Sequence, residues 1–133
     1  MKSVFNIFVL ALGFTAAVAQ AQVAVIVNPA APSEPSQAQV ANLFLGKDKS
    51  LTGIDQKDWN PTKDKFYSVV TSKNESQLKS YWSSLIFTGK GQPLTAVDND
   101  AAVVARVAGD PNAIGYVDSA AVNEQVKILF TIP

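Results

Sequence analysis

The segment QVAVIVNP, Gln22 to Pro29, places the strongest constraint on how this chain can fold. It contains five consecutive apolar residues, and all of them except one alanine are β-branched. A strand that faces water on one side alternates apolar and polar residues, and this segment shows no such alternation. The sequence therefore predicts an interior strand with a layer of protein against each of its faces.

Helical and strand patterns follow one another through the rest of the chain and can supply those layers. The helical segments are QAQVANLFLG with Ser33 or Ser36 as its N-cap, PTKDKFYSVVT, ESQLKSYWSSLIFTG, and NDAAVVARVAG with Asp98 as its N-cap. Short strands are predicted around Leu51 and Ile54, in AIGYV and in VKILFTI, whereas GKGQPLTAV is predicted to be a loop. This order predicts an α/β fold, with α+β as the open alternative, built as a three-layer sandwich around a small mixed sheet.

Apolar side chains at helical spacing indicate which helix faces are buried. The expected core positions are Phe66, Val69 and Val70 in one helix and Leu78, Trp82, Leu85 and Ile86 in the next, with Tyr81 and Phe87 at the core or its edge. Gly115 within AIGYV predicts a point where another element approaches the strand closely.

The N-terminal segment MKSVFNIFVLALGFTAAVAQA has the features of a secretory signal peptide. Lys2 precedes an apolar run, and Ala17, Ala19 and Ala21 give the small-residue pattern that signal peptidase recognises. We expect cleavage after Ala19 or Ala21, because the run is short for a membrane span. Residues 1–21 are thus predicted to be a signal peptide, and residues 22–133 a single periplasmic domain without a membrane span.

The composition excludes several classes of function. Lysine plus arginine and aspartate plus glutamate number 11 each, so the chain lacks the basic excess of a nucleic-acid binder. It contains no histidine and no cysteine, which removes the usual zinc ligands and the usual nucleophile and base pairs. No paired carboxylates stand on one element to act as acid and base. We therefore expect neither catalytic residues, nor a metal, nor a cofactor, and predict that the chain is not an enzyme.

Three segments carry a resemblance to a known family. NAIGYV resembles the PGAIGYV element of phosphate ABC transporter substrate-binding proteins, and VANLFLGK resembles the IFLGK helix end of that family. LKSYWSSLIFTGKGQP is similar to the helix and loop of its small single-domain members. The resemblance runs from Val23 to Ile132 and implies a single lobe of the type II periplasmic-binding-protein fold.

The resemblance also implies a ligand and a first set of site residues. Full-length members hold phosphate between two lobes with serine hydroxyls, backbone NH groups at helix N-termini and an arginine. Their loop, similar to RSDGSGTTEIF, falls without a gap on QKDWNPTKDKF. Gln56 stands in the place of the arginine, Trp59, Asn60 and Pro61 replace Gly-Ser-Gly, and Asp58, Thr62 and Phe66 match. The implied ligand-binding candidates are Gln56, Asp58 and Thr62.

Two other segments offer groups that could bind an anion. FTGKGQ provides Thr88, Lys90 and two flexible glycines, although an exposed helix stop is an alternative explanation. APSEPSQ provides Ser33 and Ser36 near a helix N-terminus, where helix capping alone is the alternative.

Two functions therefore remain open. The first is a periplasmic module that captures phosphate or a similar oxyanion for ABC-type transport, and it predicts converging donors from Ser33, Ser36, Thr62 and Thr88. The second is a single-lobe adaptor that binds a protein partner, such as a periplasmic sensor domain, through a surface around Trp59. The second function predicts an exposed apolar patch, and the sequence leaves open whether Trp59 lies on the surface or folds back onto the core.

Overall fold

The computed structural model describes residues 22–133, and the predicted signal peptide lies outside this range. The elements in chain order are β1 (Val23–Val27), α1 (Gln37–Phe44), β2 (Thr52–Gln56), α2 (Pro61–Val70), α3 (Glu75–Phe87), β3 (Thr95–Val97), α4 (Asp100–Ala108), β4 (Ala113–Asp118), a short 3-10 turn (Ser119–Ala121) and β5 (Lys127–Ile132). The predicted α/β fold is confirmed.

The five strands form one mixed sheet in the order β3-β2-β4-β1-β5. Strand β2 is parallel to both β3 and β4, whereas β1 is antiparallel to both β4 and β5. Strands β2, β3 and β4 therefore all end at the same edge of the sheet, which we call the carboxyl edge.

Strand β1 is buried on both faces, as its sequence predicts. Val23, Val25 and Val27 belong to the larger core, together with apolar residues of α1, α2 and α3. Ala24 and Ile26 point to the other side and pack with α4 in a second core. The predicted three-layer sandwich is thus confirmed, with three helices on one face of the sheet and one on the other.

Polar side chains cap the helices, and one predicted cap is wrong. Ser36 caps α1 and forms a capping box with Gln39. Of the two serines predicted as candidates for the N-cap, Ser36 is therefore the cap. Helix α4 is capped by Asn99, whose side chain accepts a hydrogen bond from the Ala102 NH, and not by Asp98. Asp98 lies one residue too early to cap the helix and pairs instead with Lys57 on the surface.

Three other expectations need correction. The segment predicted as a loop contains β3, an exposed edge strand whose three residues are too few to show a clear strand pattern. In α2 the buried stripe is Phe66, Tyr67 and Val70, and Val69 is 48% exposed because it lies on the neighbouring face. At the end of α3, Ile86 is 47% and Phe87 91% exposed, because no element among residues 22–133 covers them.

No helix within residues 22–133 is long and apolar enough to cross a membrane.

The predicted close approach at Gly115 is confirmed and can be tested by mutation. A Cβ at Gly115 would lie 2.5 Å from Val103 Cγ1 of α4, so Gly115→Ala should lower the free energy of unfolding by about 1–3 kcal/mol. Gly109→Ala is the matched control, because its Cβ would come no closer than 3.4 Å to Ala105 O. It should change stability by less than about 0.5 kcal/mol. Urea unfolding of both variants checks this, and equal stabilities would contradict the packing.

Candidate functional site

The carboxyl edge of the sheet is where two helices begin on opposite faces. Helix α2 follows β2 and packs into the larger core, whereas α4 follows β3 and packs into the second core. In open α/β sheets, ligands bind in the crevice that such a divergence creates outside the ends of the strands. The crevice between the ends of β2 and β3 is therefore the first place to look for a functional site.

Gln56, a predicted ligand residue, lies in this crevice but is committed to internal hydrogen bonds. Its side chain is buried, and Nε2 donates to Asp100 Oδ1 at 2.7 Å and to the Tyr116 carbonyl oxygen at 3.1 Å. Its Oε1 accepts from Asn60 Nδ2 at 2.8 Å. Both amide hydrogens and the amide oxygen are thus engaged, so Gln56 links β2 to β4, to α4 and to the start of α2.

The beginning of α2 is likewise closed by its own side chains. Asn60 Oδ1 accepts from the Lys63 NH at 2.8 Å, and Pro61 at the first helical position has no NH to offer. Trp59 folds back onto the core and stacks on Tyr67, with ring centroids 5.9 Å apart. Thr62 is half-buried, whereas Lys57, Asp58 and Pro61 of this loop are exposed.

Lys63 places a buried cation beneath Trp59. Its Nζ donates to the Gln56 carbonyl oxygen at 2.6 Å and lies 3.6 Å from Asp55 Oδ2. The same ammonium lies 5.5 Å from the centroid of the Trp59 ring. Because Asp55 and the Gln56 carbonyl already compensate this charge, it contributes mainly to the structure of the loop.

Two buried tyrosines next to Asp55 differ in their hydrogen bonding. The Tyr116 hydroxyl donates to Asp55 Oδ1 and accepts from the Gln56 NH at 3.2 Å, whereas the Tyr67 hydroxyl has no hydrogen-bond partner within residues 22–133. Burial raises the pKa of both phenols, and the Asp55 carboxylate raises it further. Both tyrosines are therefore neutral at physiological pH.

Beside this network opens a cleft of about 190 Å³, which we call the lysine–tryptophan cleft. It is lined by Asp55, Lys57, Trp59, Lys63, Glu75, Leu78, Lys79 and Trp82. Both tryptophans of the chain are among these residues. Three lysines and two carboxylates line the cleft, so the lining side chains have a small net positive charge.

Two of the three lysines are available to an incoming anion. Lys57 pairs with Asp98 at 3.0 Å and Lys79 with Glu75 at 3.5 Å, and all four side chains are substantially exposed. Exposed ion pairs of this kind contribute only about 0–1 kcal/mol. An anion can therefore replace either carboxylate at little cost.

The other predicted site residues lie elsewhere. Glu34, the neighbour of Ser33, pairs with Lys127, which opposes Val27 at the edge of the sheet away from the carboxyl edge. Thr88 and Lys90 follow the end of α3, roughly 13 Å along the helix axis from Lys79. Ser36 Oγ accepts from the Gln39 NH as the cap of α1, and none of Ser33, Ser36, Thr88 and Lys90 lines the lysine–tryptophan cleft.

The sequence reading missed the lysines and Trp82 as partners in one site. Lys57 lies within the loop QKDWNPTKDKF, where the family pattern has serine and gives no role to a lysine, whereas Lys79 and Trp82 belong to α3 and reach the cleft only through the tertiary fold. Their one local signal is spacing, because Lys79 and Trp82 stand three residues apart and thus on one side of α3.

Comparison with known proteins finds similarity at the level of structure. No family model and no curated protein sequence matches the chain. An ABC-type phosphate transport receptor from Vibrio cholerae superposes with a TM-score of 0.61 at 15% identity, over 81% of this chain and 45% of the receptor. A candidate phosphate ABC transporter substrate-binding protein from Clostridium perfringens, solved with bound phosphate, gives 0.60 at 22% identity, over 81% and 44%. A candidate phosphate-binding protein from Planctomyces limnophilus gives 0.57 at 18%, over 81% and 40%.

These comparisons define a class of fold. The chain has the α/β fold of a periplasmic-binding-protein lobe, and it spans less than half the length of each of the three structures. More specifically, one of the three structures is a phosphate transport receptor and two are candidate phosphate-binding proteins, so the resemblance noted in the sequence is confirmed as a likeness of fold.

The two buried tyrosines offer a test of the network. Tyr67→Phe removes a hydroxyl without a partner and should leave the free energy of unfolding unchanged or raise it by up to about 1 kcal/mol. Tyr116→Phe should lower it by about 1–3 kcal/mol, because Asp55 loses a hydrogen bond inside a buried network. Each variant serves as control for the other in urea unfolding. Equal losses of stability would show that the network is not arranged as described.

Proposed function

We propose that this chain is an exported, periplasmic solute-binding module that captures phosphate or a similar small oxyanion without chemical change, in connection with ABC-type transport. The observation that carries the proposal is the lysine–tryptophan cleft at the carboxyl edge of a sheet with this fold. The bound phosphate of the Clostridium perfringens structure supports the choice of ligand class.

In this proposal the anion lies between Lys57 and Lys79. Both ammonium groups border the cleft, and both are paired only with exposed carboxylates. An ammonium is a hydrated point charge without the fork geometry of arginine, so binding relies on charge more than on fixed hydrogen bonds. We expect weak binding that falls as ionic strength rises.

Asp58 and Thr62, which were candidates from the sequence, are not among the residues that line the cleft. The half-buried Thr62 is proposed as an additional hydroxyl donor, whereas the exposed Asp58 carboxylate would repel an anion. Gln56 supports the loop from inside through its buried amide. Thr88 and Lys90 in FTGKGQ, and Ser33 and Ser36 in APSEPSQ, are two further proposed anion sites that are separate from the cleft.

Tryptophan emission tests this proposal directly, because both tryptophans line the cleft. Phosphate should change the emission saturably, with a dissociation constant of roughly 0.1–10 mM, whereas chloride at matched ionic strength should not. The double variant Lys57→Gln, Lys79→Gln should raise that constant at least about tenfold.

Two other lysines provide the controls. Lys47→Gln changes an exposed lysine outside the cleft, and Lys90→Gln tests the glycine-rich segment after α3. Both should bind phosphate as the unchanged protein does. Loss of binding in Lys90→Gln alone would move the site to that segment, and no saturable response at all would contradict anion capture.

A protein partner is the second candidate function, and the end of α3 favours it. Phe87 is 91% exposed and Ile86 47%, and such exposed apolar neighbours are typical of contact surfaces. Trp59, named from the sequence for this role, is half-buried against Tyr67 and offers less surface. A transporter or a periplasmic sensor domain is the partner that this candidate implies.

Photo-crosslinking in cells tests the second candidate. A photoreactive residue at position 87 should form an adduct with one defined partner, whereas the same residue at the exposed position of Ser83 should not. Adducts of equal yield at both positions, or none at position 87, would contradict a contact through Phe87.

A further inference from the structure

The lining of the lysine–tryptophan cleft is more apolar than a bare inorganic anion requires. Trp59, Leu78 and Trp82 contribute to it alongside the charged residues. Phosphate is strongly hydrated and makes no favourable use of indole or leucine surface. An apolar group gains about 25 cal/mol for each Å² removed from water. The apolar part of the cleft therefore has no function in the capture of phosphate itself.

The aromatic side chains are also held in place and do not close over the cleft. Trp59 stacks on Tyr67. Trp82 packs tightly against Gly46, where an added Cβ would lie 2.9 Å from Trp82 Cη2, and against Gly91. Rings fixed in this way form a preformed surface, so a ligand need not order them on binding.

The charges of the cleft are divided between its mouth and its floor. Asp55 and Lys63 are largely buried and compensate each other, whereas the exposed Lys57 and Lys79 have only weak partners. A ligand that projects its charge towards Lys57 and Lys79 and its body towards the rings avoids placing an anion against Asp55. This arrangement suits a molecule with one charged end and one apolar end.

We propose that the ligand of this cleft is an organic oxyanion, a phosphonate or phosphate monoester that carries a compact aromatic or branched apolar group. The inference rests on the proposed capture of an oxyanion and specifies its chemical class. The headgroup lies between Lys57 and Lys79, and the apolar group packs against Trp59, Leu78 and Trp82. The cleft volume of about 190 Å³ limits that group to roughly the size of one ring.

Three probes that share one kind of headgroup test the proposal on the unchanged protein. Inorganic phosphate, methylphosphonate and phenylphosphonate are titrated by calorimetry at matched pH and ionic strength. Phenylphosphonate should bind at least about tenfold more tightly than phosphate, with methylphosphonate between them. Benzyl alcohol, which has the ring without the charge, should bind more weakly than phenylphosphonate.

Each of the other outcomes overturns the inference, and the outcomes differ in what they imply for the proposed function. Equal affinities for the three anions leave oxyanion capture standing and remove the apolar requirement. Tight binding of benzyl alcohol removes the requirement for an anion. No binding of any anion removes both the inference and the proposed function.

Variants then place the ring in the cleft. Trp59→Leu, which changes the cleft and not the neighbouring groove, should weaken phenylphosphonate at least about fivefold and leave phosphate unchanged, and Trp82→Leu provides a second variant should Trp59→Leu fail to fold. The double variant Lys57→Gln, Lys79→Gln should weaken both anions alike. Phenylphosphonate affinity that Trp59→Leu and the double lysine variant leave unchanged would place the ligand elsewhere, such as in the groove of about 280 Å³ beside Leu43, Leu85 and Leu94, which Trp82 also lines.

Discussion

The double burial of β1 is the constraint on which the rest of the structure depends. Alternate side chains of this strand enter two different cores, so the strand is stable only when helices cover both faces. That requirement sends α2 to one face of the sheet and α4 to the other. The helices consequently diverge where β2 and β3 end. The position of the crevice thus follows from a strand that contributes no residue to it.

The way in which this crevice is filled decides what the lobe can bind. Buried polar groups need partners, and here Gln56, Asn60, Asp100 and Tyr116 supply them to one another. An anion entering the crevice would have to break these hydrogen bonds and approach the Asp100 carboxylate. The groups left for a ligand are Lys57 and Lys79, which stand in water outside the network. The proposed capture would therefore take place in an open cleft and not in a dehydrated crevice, and each charge interaction is weaker in the open cleft.

The sequence predicts the layers of the fold better than it predicts which residues lie together in the candidate site. The run of apolar residues in β1, the cap at Ser36 and the close approach at Gly115 are local signals, and local physics determines each of them. Strand β3 is not predicted from the sequence, because a short exposed edge strand needs no apolar pattern. The loop after β2 indicates the carboxyl edge of the sheet, where the candidate site lies. The sequence does not indicate where Ser33 and Thr88 lie relative to this edge, because a pattern along the chain does not specify at which edge a helix end will lie.

An open cleft with a few lysines would bind an anion only weakly, and contact with its aromatic residues would increase the affinity for a ligand with an apolar group. At an ionic strength of about 0.1–0.15 M, salt screens the attraction between exposed charges over a length of about 8–10 Å. The lysines alone therefore favour a negatively charged ligand but bind it weakly. Contact with Leu78 and with rings that are already fixed is insensitive to salt and scales with the area removed from water. Because Gly46 and Gly91 hold Trp82 in place before a ligand arrives, little ordering opposes this contact. In such a site the charged end of a ligand determines its orientation, and the apolar end supplies most of the affinity.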